Sequence, residues 1–267
     1  MGKAIGIIAI KGGVGKTTIA ASLASDLSSN FQKKVLLIDA NYSAPNLGIH
    51  MDITDPDKTI HDVLTDQAKL KSAIHNRFGV DVIPGSMISN AQFNPLKLRD
   101  KIQGIKHQYD FIIIDSSPSL NEEILATILA ADNLFVVSTP DHPTLSCSIK
   151  AAKLARQRGR PISGIILNKV RDPLYELSLK EIEEIADIPV IAKIPDDKAA
   201  IRSLFTRIPI PIYKKKSKFA KEISNLSSTL TNTKEKRPLI SYFFPRIKKE
   251  QVNRQILKES FYTRTFK

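Results

Sequence analysis

KAIGIIAIKGGVGKTTIAASLASDL, residues 3–27, holds three signals in one order: an apolar run, a glycine-rich turn and a helical stripe. IGIIAI shows no polar alternation, which marks a strand buried on both faces. From Thr17 to Leu27, the residues Ala20, Leu23, Ala24 and Leu27 fall on one side of a helix. Between them, Gly12-Gly13-Val14-Gly15-Lys16-Thr17-Thr18, preceded by Lys11, has the spacing of a phosphate-binding loop in the strand-to-helix context that loop requires. Glycines let successive N–H groups converge on an anion, and the helix start adds its positive end. Lys16 reaches the β- and γ-phosphates of a nucleotide, and the Thr17 hydroxyl ligates Mg²⁺.

Similar apolar runs follow at 35–39 (VLLID), 80–84 (VDVIP), 111–115 (FIIID), 134–138 (LFVVS), 162–168 (ISGIILN) and 190–195 (VIAKIP), spaced to leave room for crossover helices. The expected fold is therefore α/β: a doubly wound, mainly parallel sheet with helices on both faces. Functional residues are expected just beyond the strands' carboxyl ends. A helix is also expected over Lys218–Leu230, followed by the polar segment STLTNTKEKRP, so the domain is placed at 1–231 and a basic aromatic tail at 232–267.

The 267 residues, 42% of them hydrophobic, suit one large domain, and no apolar stretch reaches the ~18 residues needed to span a bilayer. The opening strand leads into the glycine turn rather than a cleavage site, so it is not read as a signal peptide. Net charge is +13, and the tail accounts for +7 of it, with ten Lys or Arg against three Glu. Such a charge favours an anionic partner: nucleotide phosphate, nucleic acid or lipid headgroups. Cys147 is the lone cysteine, which excludes an intrachain disulfide and a multi-cysteine metal site. The five histidines are scattered without metal-ligand spacing and are read as surface or satisfied core residues.

KGGVGKTT resembles the deviant phosphate loop of the MinD/ParA ATPases, and the likeness runs in consistent order from about residue 3 to 231. VLLIDANYSAPNLG (35–48) resembles the first switch region and FIIIDSSPSLNEE (111–123) the Walker B strand with the second switch. ILNKV (166–170) and IPDD (194–197) resemble the segments that hold adenine and ribose. The resemblance implies ATP or ADP with Mg²⁺, a slow or partner-stimulated ATPase, and a monomer with ADP that becomes a homodimer with ATP. It also implies that Lys11 reaches the partner's phosphates; the plainer alternative is contact with its own nucleotide. Asp115 would hold Mg²⁺ through water, Asp39 would position the metal or the attacking water, and Asn168, Pro195 and Asp197 would contact the nucleoside. Strand-end aspartates such as Asp39 are also ordinary helix caps.

One position departs from the family. Members usually carry a second aspartate two residues after the first, and here the pattern is Asp39-Ala40-Asn41. An amide orients a water but does not accept its proton, so hydrolysis is expected to be slow or dependent on an activating protein. Nitrogenase iron proteins and Mrp-type cluster carriers share the loop but need at least two cysteines per chain, so both are excluded. Metabolic ligases of the same fold have no such simple exclusion, although no extra substrate-binding insertion is seen.

The tail contains six of the seventeen Phe and Tyr residues. Leu239, Ile240, Phe243, Phe244 and Ile247 form a helical stripe that Pro245 interrupts; alternatively a helix begins at Pro245 with Ile247, Val252, Ile256 and Phe261 on an irregular apolar side. The leading reading is attachment to anionic membrane lipids on the inner face of the cell membrane, as MinD proteins similarly end in a membrane-targeting helix. Binding of nucleic acid or protein, and packing back on its own domain, are the alternatives. The functional expectation is a spatial regulator of cell division or cargo position. A partition-type ATPase binding DNA through Lys214, Lys215, Lys216 and Lys218, or an adaptor with negligible turnover, stands against it.

Overall fold

A computed structural model describes residues 2–89, 91–172, 174–233 and 248–263. Among these, the strands are β1 (Lys3–Ile8), β2 (Val35–Ala40), β3 (His75–Arg77), β4 (Val80–Ile83), β5 (Phe111–Ser116), β6 (Asn133–Ser138), β7 (Ile162–Val170) and β8 (Val190–Pro195). They form one sheet in the order β3-β4-β2-β5-β1-β6-β7-β8. All pairings are parallel except β3 with β4. The seven apolar runs are all strands. The eighth, β3, is the polar triplet His-Asn-Arg at the sheet edge; it needs no buried face and so leaves no hydrophobic signal. A turn with Phe78 at φ 53° and Gly79 at φ 76° folds it onto β4, the paired left-handed geometry that matches strand twist.

The described chain also has eleven α-helices: α1 (Lys16–Ser29), α2 (Leu47–His50), α3 (Ile60–Leu64), α4 (Leu98–Gln103), α5 (Glu122–Ala130), α6 (His142–Gln157), α7 (Leu179–Ala186), α8 (Lys198–Thr206), α9 (Ile210–Tyr213), α10 (Lys218–Thr231) and α11 (Lys249–Thr263). Strand alternation feeds two layers. Val35 and Leu37 of β2 pack with α1 and α10, whereas Leu36 and Ile38 pack with α3, α4 and α5. The expected stripe of α1 is fully buried at Ala20, Leu23, Ala24 and Leu27.

Of the tail set apart at residue 231, residues 248–263 pack against the domain. Leu257 and Phe261 of α11 lie in the same core as α1 and α10. Asn253 donates to the Val190 carbonyl (2.8 Å), Arg254 pairs with Glu222 (2.8 Å) and Tyr262 donates to the Leu230 carbonyl (2.5 Å). Lys3 donates to the Phe261 carbonyl (3.2 Å) and sits 3.6 Å from that ring's centroid. The apolar side expected from Val252, Ile256 and Phe261 is therefore not one face: Phe261 is buried, and Val252 and Ile256 point outward. The stripe Leu239–Ile247, with Pro245, lies outside the described residues.

Candidate nucleotide site

β1 runs between β5 and β6, and the chain leaves it toward β2 on one side while β6, β7 and β8 extend the sheet on the other. Helices depart to opposite sides at such a switch point and leave a crevice beyond the carboxyl end of β1. The loop Lys11–Gly15 occupies it. Gly13 and Gly15 have φ of 76° and 96°, which side chains rarely adopt. A Cβ on Gly15 would lie 2.3 Å from Asn168 Nδ2, whereas around Gly12 and Gly13 there is open space. The loop is thus tight against β7 at one end and open where an anion would sit.

α1 begins at Lys16, whose side chain is buried; burial lowers its pKa, and the charge of Asp115 opposes that shift. Thr18, in the first turn, faces His50 Nε2 at 3.4 Å. Asp115 ends β5 as the register partner of Asp39 on β2. Both carboxylates are fully buried, and neither oxygen of Asp115 has a hydrogen-bond partner among the described residues. Burial pushes the Asp115 pKa up to about 6, while the nearby Thr17 hydroxyl and Lys16 charge pull the other way. Asp39 accepts from the backbone N–H of Asn41 (3.1 Å) and Leu47 (3.0 Å), yet burial and the charge of Asp115 push its pKa up to about 8. An orphaned buried carboxylate beside a threonine hydroxyl is a hard-oxygen donor set of the kind Mg²⁺ takes. The residues therefore fit a polyphosphate bound with a divalent cation, held by Thr17 and Asp115 with Asp39 behind.

Around this centre the segments that follow β2 and β5 are linked. Asn41 donates its amide to the Ala44 carbonyl (2.5 Å), closing the loop after β2. The Ser43 N–H (3.1 Å) and hydroxyl both donate to Glu123 of α5, tying the loop after β2 to the segment after β5. His61 accepts from the Ser86 N–H at Nδ1 (3.0 Å) and meets the Tyr42 carbonyl at Nε2 (3.1 Å); burial lowers its pKa, so it is a neutral core histidine.

Asn168 reaches the loop rather than open space, donating to the Val14 carbonyl at 2.8 Å, and Lys169, at φ 57°, donates to the Gly13 carbonyl at 2.8 Å. Pro195 and Asp197 stand one strand further out. Pro195 pairs with Val170, and Asp197 caps α8 by accepting from the Ala199 N–H (2.9 Å). Lys11 turns away from its own loop: its ammonium donates to Thr144 Oγ1 (2.8 Å) and lies 3.6 Å from Asp141, both at the start of α6. The structure thus gathers the loop, Asp39, Asn41, Asp115 and Asn168, with Pro195 and Asp197 on the flank.

The family model of the AAA domain matches residues 2–150, more than half of the chain. An uncharacterized ATP-binding protein of Methanocaldococcus jannaschii is 34% identical over 237 residues, covering 88% of this chain and 89% of that protein. The cell division ATPase MinD of Pyrococcus furiosus superposes with a TM-score of 0.81 at 31% identity, covering 85% of this chain and 98% of its own. The chain belongs to the MinD/ParA family of P-loop ATPases. The septum site-determining protein MinD of Pyrococcus horikoshii, complexed with Mg-ADP, matches equally well, with a TM-score of 0.81, 30% identity, and coverage of 85% of this chain and 95% of its own. Within the MinD/ParA frame, three features escape a linear reading: the Ser43–Glu123 link, the Asp141–Thr144 seat for Lys11, and Lys169 on the loop. The D-x-x-T spacing of a helix start at Asp141 was the available signal for the second. The other two join residues far apart in sequence and have none.

Proposed function

We propose that this chain is an ATP-driven switch in which nucleotide binding and homodimerisation are one event, with slow ATP hydrolysis, serving spatial regulation of cell division or cargo position at the inner face of the cell membrane. The observation that carries it is the posture of Lys11. Its side chain and that of Asp141 are each 44% exposed, and an ion pair of that kind contributes only ~0–1 kcal/mol, so it exchanges easily for a phosphate. A cation seated away from its own loop on so weak a contact is available to a second subunit's nucleotide, and that delivery couples ATP binding to assembly.

The remaining roles are assigned on the same reading. The Gly12–Gly15 backbone and Lys16 hold the phosphates, and Asn168, Pro195 and Asp197 flank the nucleoside. Mg²⁺ at Thr17 and Asp115 would neutralise phosphate charge. Asn41, with its amide nitrogen committed to Ala44, orients a water through its oxygen at most, and it takes no proton from that water.

Light scattering of the full chain with Mg-ATP and with Mg-ADP tests the switch. A dimer with ATP and a monomer with ADP is expected, lost on Lys16→Ala together with nucleotide binding. With Lys11→Ala, dimerisation is lost while nucleotide binding survives. A Lys11→Ala protein that still dimerises with ATP would sink the proposal.

A further inference from the structure

We propose that α8 and α9 form a docking surface on the ATPase body for an anionic lipid leaflet. The proposal rests on the membrane part of the function above and deepens it by naming the surface. Residues 198–221 contain eight Lys or Arg and no Asp or Glu. α8 turns Ala199 and Ser203 into the domain, which leaves Ile201, Leu204 and Phe205 on the outer side at helical spacing. Ile201 is 70% exposed and Phe205 89%. α9, packed next to α8, adds Ile212 and Tyr213, more than a third exposed, and Lys214, Lys215 and Lys216 follow in the open.

The chemistry separates lipid from the other occupants. Protruding aliphatic and aromatic side chains gain nothing from a phosphate backbone, but they gain from acyl chains, while surrounding cations gain from anionic headgroups. A second copy of this surface would bring its lysines against like charges, which disfavours self-association. α11 leaves this role open, because Leu257 and Phe261 are already committed to the core. Among the described residues, no helix is long and apolar enough to cross a membrane, so contact here is peripheral.

The chain contains no tryptophan, so Phe205→Trp supplies a single reporter. In the full-length protein with Mg-ATP, its emission is expected to shift to the blue with phosphatidylglycerol-containing vesicles and not with phosphatidylcholine alone. Ile201→Ser with Phe205→Ser is expected to weaken vesicle sedimentation about tenfold or more while ATP turnover is unchanged. Lys214→Glu with Lys216→Glu is expected to cost roughly fivefold per residue at low salt. Vesicle binding that ignores all these variants overturns the surface and leaves the membrane reading intact. No vesicle binding by the full chain overturns both, while ATP-dependent dimerisation, read by light scattering, stands or falls separately. A serine variant that fails to dimerise assigns the patch to an interface between copies. A blue shift with duplex DNA alone assigns it to nucleic acid, and emission already blue before vesicles are added means that the protein itself covers it. Each of these three outcomes overturns the proposal.

Discussion

Asp39 and Asp115 are register partners at the ends of β2 and β5, so two fully buried carboxylates stand side by side. Burial disfavours the charged form of both, and the charge of Asp115 adds to the shift of Asp39, which is why both carboxyls titrate above the ordinary carboxylate range. A magnesium-bound nucleotide would relieve the repulsion that Asp115 exerts on Asp39.

A pH dependence follows from that pair. Both pKa values are raised on folding, so between about pH 4 and about pH 8 the folded state binds more protons than the unfolded chain, and stability falls as pH rises through that window. The Tm of the nucleotide-free protein is expected to decline across it. Asp115→Asn flattens the decline and abolishes the stabilisation by Mg-ATP. A Tm of the Asp115→Asn protein that falls as steeply as the parent's refutes this account of the pair.

Gly15→Ala forces a side chain into a backbone at φ 96° and against Asn168 Nδ2. The strain is of the order of 1–3 kcal/mol, and relief requires the loop to leave β7. Nucleotide affinity measured by calorimetry is expected to drop at least tenfold.

Asp141→Asn keeps a competent helix cap for α6 while removing the charge that holds Lys11. Thermal stability is expected to change by less than about 1 kcal/mol. The ATP concentration at half-maximal dimerisation falls a few-fold, because Lys11 no longer leaves a partner behind.

Asn41→Asp restores a carboxylate where the family usually has one. Unstimulated ATP turnover is expected to rise by roughly tenfold, within the range of a positioned base. Turnover unchanged within error would mean that this residue does not limit hydrolysis.

Phe261→Ala removes a buried ring from the core shared by α1, α10 and α11. A loss of about 3–5 kcal/mol in denaturant unfolding is expected, as for a large-to-small change in a packed interior. A tail independent of the domain would show almost none.

The architecture was legible because a parallel sheet covered on both faces demands uninterrupted apolar strands, and runs such as VLLID and FIIID have no other stable use. The phosphate loop was legible for a similar reason, since its chemistry depends on residues adjacent in the chain. β3 was not, because a three-residue polar edge strand buries nothing. The fate of Phe261 was not either: a basic aromatic helix has one composition whether its apolar side meets lipid or its own domain.

From its sequence alone this protein is determined to be a P-loop α/β domain with Lys16, Thr17, Asp39 and Asp115 at strand and loop ends, since local periodicity and motif spacing carry that much. Only the tertiary structure seats Lys11 on Asp141 and Thr144, ties Ser43 to Glu123, lays Asn168 on the loop and buries α11. Each of these joins residues far apart along the chain, and such contacts are set by which elements the sheet order makes neighbours rather than by any local preference.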